Sequence, residues 1–409
     1  MNANVDFDLS NVPALGNDIL ARLRTVREAD PIFWSEKNQA WIVSGHAQAM
    51  EGLSGNLPLS AQRLPHFAAS TLTEEEKWHH LPTLMSTTRH WLLNMDAPEH
   101  PRLRKLMMKA FGKPVVEGIR PQVQRFIRET LDDAAAKGDV EWVADVARRI
   151  PARTILCLLG LGDELVPQLH DWSVTLNTLG NVQVPLPELL RIEALLGELR
   201  ALFMPEIEAR RKNPRNDFLS ALVTANEAGD QLSEEEMLGI CYITLIAGHD
   251  TTANTIALAT AELASNPAAA EFIRENPDKV GDAVLELSRY VAMSTAQSRI
   301  VSEDFVWGGH QIRKGQFVLI LIAGANRDES VFANPNQLDF ARPQYSNMTF
   351  GPGAHHCIGH LLAKMQLGEY FPELLRRFDL EMLNEKLDFG PTLGFRGLNS
   401  LNIRLHPRR

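Results

Sequence analysis

The stretch FGPGAHHCIG, at positions 350–359, restricts this chain more than any other. It sets one of only three cysteines, Cys357, among three glycines, two histidines and a phenylalanine. Zinc is one reading, since His356 and Cys357 stand four and three residues before His360 and two of the three could share a helix face. Adjacent residues rarely converge on one tetrahedral ion, however, and no second Cys or His cluster completes four ligands. Zinc also leaves the glycines unexplained. A single thiolate beneath a flat iron macrocycle explains more, because haem iron accepts one Cys thiolate and leaves its opposite face open to oxygen. Gly351 and Gly353 lack a Cβ and tolerate positive φ where the chain must pass close to a ring. Gly359 would let the next helix, HLLAKMQLGEYFPELL, start tightly and aim its positive end at the sulfur. Phe350 is expected to pack on the ring and keep water from the sulfur.

The rest of the composition bounds the class. The 409 residues show no repeat, low-complexity tract or long linker, so one continuous domain over 1–409 is expected. A net charge of −10 disfavours nucleic acid, whose phosphates need a broad basic face. Cys157, Cys241 and Cys357 are far apart with no CxxC pair, which points to a reducing cytoplasm and not to a disulfide framework. The acidic N-terminal stretch has no apolar run of the signal-peptide kind, and no segment offers the ~20 apolar residues that span a bilayer. A cytoplasmic, monomeric protein without membrane insertion is the expectation.

Periodicity gives a mainly α fold with a minor β portion. PIFWSEKNQAWIVSG reads as a small hairpin, with apolar runs around Phe33 and Ile42. HPRLRKLMMKAF, VVEGIRPQVQRFIRETLDDAAAKG and ELLRIEALLGELRALFMPEIEARRKN carry apolar residues at helical spacing. The longest helix is expected over 233–266, opened by a capping box of Ser233 and Glu236 and closed before Pro267. Its length, about 50 Å, would carry it across the whole molecule. Strands return at QFVLILI and LNIRL, while 57–91 shows no firm period and reads as a lid-like wall.

The ten-residue stretch resembles the haem loop F-G-x-G-x-H-x-C-x-G of the cytochrome P450 superfamily, with Phe350, Gly351, Gly353, His355, Cys357 and Gly359 filling its six fixed positions. Further motifs follow in the family's order. AGHDTT at 247–252 is similar to the oxygen-activation motif, with Asp250 as acid and Thr251 as alcohol. Cleaving an O–O bond needs protons in a nearly dry cavity, and a hydroxyl fed by a carboxylate can relay them. Gly248 would leave room for oxygen, and His249 would either face away from the haem or take part in the proton relay. ELSR supplies Glu286 and Arg289, the ExxR pair, joined by Arg342 of FARP as a structural clamp. The resemblance makes His100, Arg104, Arg299 and His355 donors to the haem propionates, with Phe350 and Gly351 also against the cofactor. The stretch ANRDESVFANPNQLDFARP matches the family as well. Met293 and Ser294 depart from it, standing where many relatives have proline, and Gln366 replaces a common glutamate.

The resemblance thus implies the cytochrome P450 fold, with haem b between a long central helix and the Cys-loop helix. It implies a monooxygenase that inserts one atom of O2 into a small, mostly apolar organic substrate. Electrons would come from NAD(P)H through ferredoxin reductase and ferredoxin. Ile240, Thr244, Ala247, Gly248, Ser294, Thr295 and Phe395 are the expected pocket walls. Lys105, Lys109 and Lys113 recur every four residues, giving a basic face either for an acidic ferredoxin or for solubility alone. A peroxide-driven hydroxylase and a non-catalytic haem ligand-binding protein are the alternatives. Neither needs the acid–alcohol pair.

Overall fold

The computed structural model describes residues 18–63, 72–180, 184–227, 229–343, 346–390 and 394–408. The acidic N-terminal stretch and part of the expected wall, 64–71, lie outside the described residues. Helices dominate and strands are short, the mainly α architecture with a minor β portion that periodicity predicts. The backbone divides into two compact units: 1–59, 123–151 and 251–409 form the first, and 60–122 with 152–250 form the second.

The first unit is built on a small sheet. Ile32–Ser35 and Ala40–Val43 make the expected hairpin, with Phe33 opposite Ile42. Phe317–Ile320 runs parallel to the second of these strands and antiparallel to Gln297–Val301. Side chains alternate across a strand. Ile42 and Leu319 therefore join Leu23 and Phe33 on one face, while Trp41, Val43, Val318 and Ile320 join Leu53 and Trp307 on the other. Burial on both faces explains why AWIV and FVLI are continuous apolar runs without polar alternation. A second sheet pairs Asn402–Pro407 with Phe378–Met382 and Asp139–Glu141.

In the second unit the helix Glu99–Ala110 stops at Phe111, and Gly112 caps a separate short helix, Lys113–Gly118. Lys105, Lys109 and Lys113 are all exposed, but Lys113 lies beyond this break and does not continue the helical face expected for the three. Within 57–91, where the sequence shows no firm period, the described residues include two short helices. Thr73 and Glu76 form a capping box on Glu74–His80, and Glu193 accepts the Thr83 and Leu84 amides at 2.8 Å at the start of Pro82–Thr88. These helices are too short for a readable period. The long helix runs Glu234–Ser265 behind the Ser233–Glu236 capping box, its first half in the second unit and its last in the first.

Glu286 is the electrostatic knot of the first unit. Its carboxylate accepts from Arg289 Nε and Nη2, both at 2.8 Å, from Arg342 Nε at 3.1 Å and from the Asp339 amide at 3.0 Å. The Glu286 and Arg289 side chains are wholly buried. Burial pushes the Glu286 pKa up, but the two guanidinium groups outweigh it and the net shift is downward. Arg289 also donates to the Asn326 and Pro335 carbonyls, and Arg342 to that of Ala333, so the knot gathers the irregular stretch 326–342. Neutralising one partner leaves buried charge uncompensated, at a cost of about 3–5 kcal/mol. In urea unfolding followed by circular dichroism, Glu286→Gln is expected to lose stability of that order, while Glu385→Gln at an exposed site changes little. Equal effects of the two would refute the clamp.

Candidate active site

The cysteine loop belongs to the first unit. Gly351 and Gly353 have φ of +70° and +74°, the left-handed region that only glycine enters freely. Space adds a second demand at Gly353, where a Cβ would stand 2.4 Å from the Leu53 carbonyl oxygen. The loop closes when the Cys357 amide donates to the Phe350 carbonyl at 2.7 Å and the His356 amide to that of Gly353 at 3.1 Å. Its lead-in is held by Asn326, whose side-chain oxygen accepts the Met348 amide at 2.8 Å and whose carbonyl accepts from Arg289. The Glu286 knot thus reaches the loop through one residue.

Cys357 is exposed just ahead of the helix His360–Arg377. Gly359 occupies the N-cap with no side-chain cap, and a Cβ built there would meet the sulfur at 4.0 Å, an ordinary contact. Phe350 packs edge-on to the His360 ring at 6.2 Å, with the Lys364 ammonium 5.5 Å from its centre. Among the described residues no group of three or more Cys, His, Asp or Glu could hold a metal ion, so zinc finds no ligand set.

The long helix is buried over 237–246, then Ala247 is exposed and Gly248, Thr251 and Asn254 are half-buried. Positions 247, 251 and 254 share a face. A strip of surface therefore opens in the middle of an otherwise buried helix. Ile240 and Thr244, one and two turns earlier, are buried. A Cβ built on Gly248 would point at Ile155 and meet Cδ1 at 2.5 Å. The glycine admits a neighbouring side chain.

Asp250 turns toward the helix Val166–Asn177 of its own unit. Asn177 Nδ2 donates to it at 2.6 Å, and His249 Nδ1 lies 2.9 Å from its other oxygen. His249 is buried, with Ser173 Oγ 3.5 Å away. Burial raises the Asp250 pKa, but the His249 contact, followed by Asn177 and the positive field of His170, more than reverses it. The carboxylate is therefore ionised at neutral pH. Sequence reasoning finds Asp250 and misses Asn177 and Ser173, since nothing local links residues more than seventy positions apart.

His100 is buried on Glu99–Ala110, and Arg104 follows one turn later, half-buried. In the first unit Arg299 is buried on Gln297–Val301 with Nη1 on the Ser298 carbonyl, and His355 is half-buried. Three expected wall residues come together: Ser294 pairs with Phe395 in an antiparallel bridge, and the Thr295 amide donates to the Gly394 carbonyl at 3.0 Å. Asn254, absent from the sequence reading, packs against Gly397, where a Cβ would stand 2.4 Å from its Oδ1. The open face of the long helix is thereby tied to the Phe395 loop.

Known proteins share this organisation. The family profile described as Cytochrome P450 matches residues 73–396. The chain belongs to the cytochrome P450 family. Cytochrome P450 CYP107DY1 of Priestia megaterium is 34% identical over 74% of this chain and 75% of its own. The biotin biosynthesis cytochrome P450 of Bacillus subtilis is 30% identical over 93% and 94%. The solved structure of cytochrome P450 CYP109Q5 from Chondromyces apiculatus superposes with a TM-score of 0.86, at 25% identity and 99% coverage of both chains.

This cytochrome P450 is a haem-thiolate monooxygenase, and the donor set fits iron protoporphyrin: one exposed sulfur at a helix start, with guanidinium and imidazole groups suited to carboxylates. Bound haem supplies the activation of dioxygen. The chain supplies a fixed sulfur, a half-open strip on the long helix and an ionised carboxylate beside it. The carboxylate makes a pH prediction. A depressed pKa gives stability that is full above the unfolded value, about 3.9, and fades as pH falls through the folded one. Wild type is expected to melt above Asp250→Asn by a constant margin from pH 7 to 5, the margin closing below about pH 4. A margin that persists unchanged into acid would contradict the ionised, hydrogen-bonded Asp250.

Proposed function

We propose that this cytochrome P450 oxygenates a small, mostly apolar organic molecule, drawing electrons from NAD(P)H through a ferredoxin reductase and a ferredoxin, with the whole chain working as one catalytic domain. The observation that carries the reading is the half-open strip Ala247–Gly248–Thr251, with ionised Asp250 next in chain to Thr251. In this reading Cys357 is the iron ligand, and Arg299, His355, His100 and Arg104 take the propionates. Phe350 and Gly351 border the cofactor from below. Thr251 holds a proton at its hydroxyl beside the substrate, and Asp250 receives protons through His249 and returns them toward Thr251.

The walls support an apolar substrate with one polar handle. Ile240, Ala247 and Phe395 offer carbon surface, while Thr244, Ser294 and Thr295 offer hydroxyls. The hydroxyl of Thr244 is buried without a hydrogen-bond partner among the described residues, so a substrate acceptor or donor there would satisfy it. The relatives are named for varied work, among them a mycinamicin IV hydroxylase/epoxidase from Micromonospora griseorubida and a nocardicin C N-oxygenase from Nocardia uniformis. That spread fits a common oxygenating centre beneath changeable walls.

In the presence of ferredoxin, its reductase and a turned-over substrate, Thr251→Ala is expected to keep consuming NAD(P)H. Product per NAD(P)H should drop by about tenfold or more, with hydrogen peroxide making up the balance. Undiminished coupling would remove Thr251 from the proton path. The donor surface is tested separately. Changing both Lys105 and Lys109 to Glu should slow reduction by ferredoxin about tenfold at low salt and leave substrate affinity unaltered. Unchanged reduction kinetics would place the donor elsewhere.

A further inference from the structure

The first unit contains a cavity of about 690 Å³ that shares no residue with the cysteine loop or with the expected substrate walls. Its lining includes two arginines, Arg327 and Arg396, which are 4% and 8% exposed. Arg327 spends Nη2 on the Tyr290 carbonyl and lays its guanidinium 5.6 Å from the Tyr290 ring, yet Nε and Nη1 have no hydrogen-bond partner among the described residues. Arg396 donates Nη1 to the Val291 carbonyl at 2.9 Å and stands 4.3 Å over the Phe389 ring. Glu262 also lines the cavity and acts on Arg327 through its field, without a hydrogen bond between them among the described residues. Two buried cations facing one space, one with donors to spare, are costly unless an acceptor answers them.

Other parts of the lining describe what that acceptor is attached to. Leu258, Val291 and Phe389 give carbon walls, and exposed Glu385, Lys386 and Asp388 mark the solvent side. The size lies in the range of small-molecule pockets. An inorganic anion would satisfy the guanidinium groups and leave the apolar walls bare.

We propose that this cavity is a second ligand site, separate from the haem centre, for a small organic carboxylate whose charged end accepts from Arg327 beside Arg396 and whose carbon chain lies along Leu258, Val291 and Phe389. Neither arginine belongs to the haem-loop, ExxR or oxygen-activation motifs. The charges support the site. Burial, followed by the fields of Arg289 and Arg396, pushes the Arg327 pKa down to about 9, the opposite of what a neighbouring anion does.

The test uses the haem-loaded protein with hexanoate as the probe, and chloride and inorganic phosphate as controls at matched ionic strength. Hexanoate is expected to raise the melting temperature saturably, by about 2 °C at tenfold excess over its dissociation constant, with the haem absorption unchanged. Arg327→Gln should abolish the rise. Ser265→Trp, which narrows the cavity from an exposed position on its lining and keeps both arginines, should abolish it too if Arg327→Gln does not fold. No rise above chloride, an equal rise with phosphate, a rise that survives these substitutions, or a rise that comes with a haem spin-state change would each overturn the proposal.

Discussion

Everything this enzyme does depends on holding one sulfur in the open. Thiols prefer burial, and Cys241 shows the default, wholly buried with its pKa raised by desolvation. Cys357 is exposed because its loop has nowhere else to go. Two left-handed glycines set its course, the Leu53 carbonyl blocks any side chain at Gly353, and the Phe350 carbonyl holds the Cys357 amide. The sulfur then sits before the free amides of a long helix, where a thiolate is favoured.

Two carboxylates, one in each unit, are held in different ways. Glu286 accepts from two guanidinium groups and a backbone amide of its own unit, none of which exchanges protons near neutral pH. It is a structural anion whose cost of burial is offset by three charge-assisted bonds. Asp250 has softer partners, an amide and an imidazole, and remains about a quarter exposed. Histidine is the side chain best suited to pass protons at physiological pH. The same chemical group thus meets different neighbours in the two places, guanidinium groups and a backbone amide at Glu286, a side-chain amide and an imidazole at Asp250.

The sequence made some of this visible and hid the rest for identifiable reasons. Dihedral demands are local, so the glycines of the cysteine loop could be read directly, as could the Ser233 capping box and the Phe33–Ile42 hairpin. Three positions resisted. Gly248 stands against Ile155, a neighbour ninety-three positions earlier in the chain that no motif announces. Lys113 keeps a four-residue rhythm with Lys105 and Lys109, yet Gly112 and Pro114 end that helix and start another. Asn177 and Asn254, which fix Asp250 and the Phe395 loop, carry no motif at all. Arg327 sits inside a recognisable run, ANRD, but its unanswered donors become visible only when Tyr290, Arg396 and Phe389 are placed around it. Contacts between distant segments are what periodicity cannot supply.

The most direct measurement is the absorption spectrum of the reduced, haem-loaded protein under carbon monoxide. Thiolate ligation by Cys357 predicts a strongly red-shifted Soret band in the wild type and its loss in Cys357→Ala, with the fold intact by circular dichroism. A wild-type spectrum without the shift, or a shifted band that survives removal of this sulfur, would contradict the account.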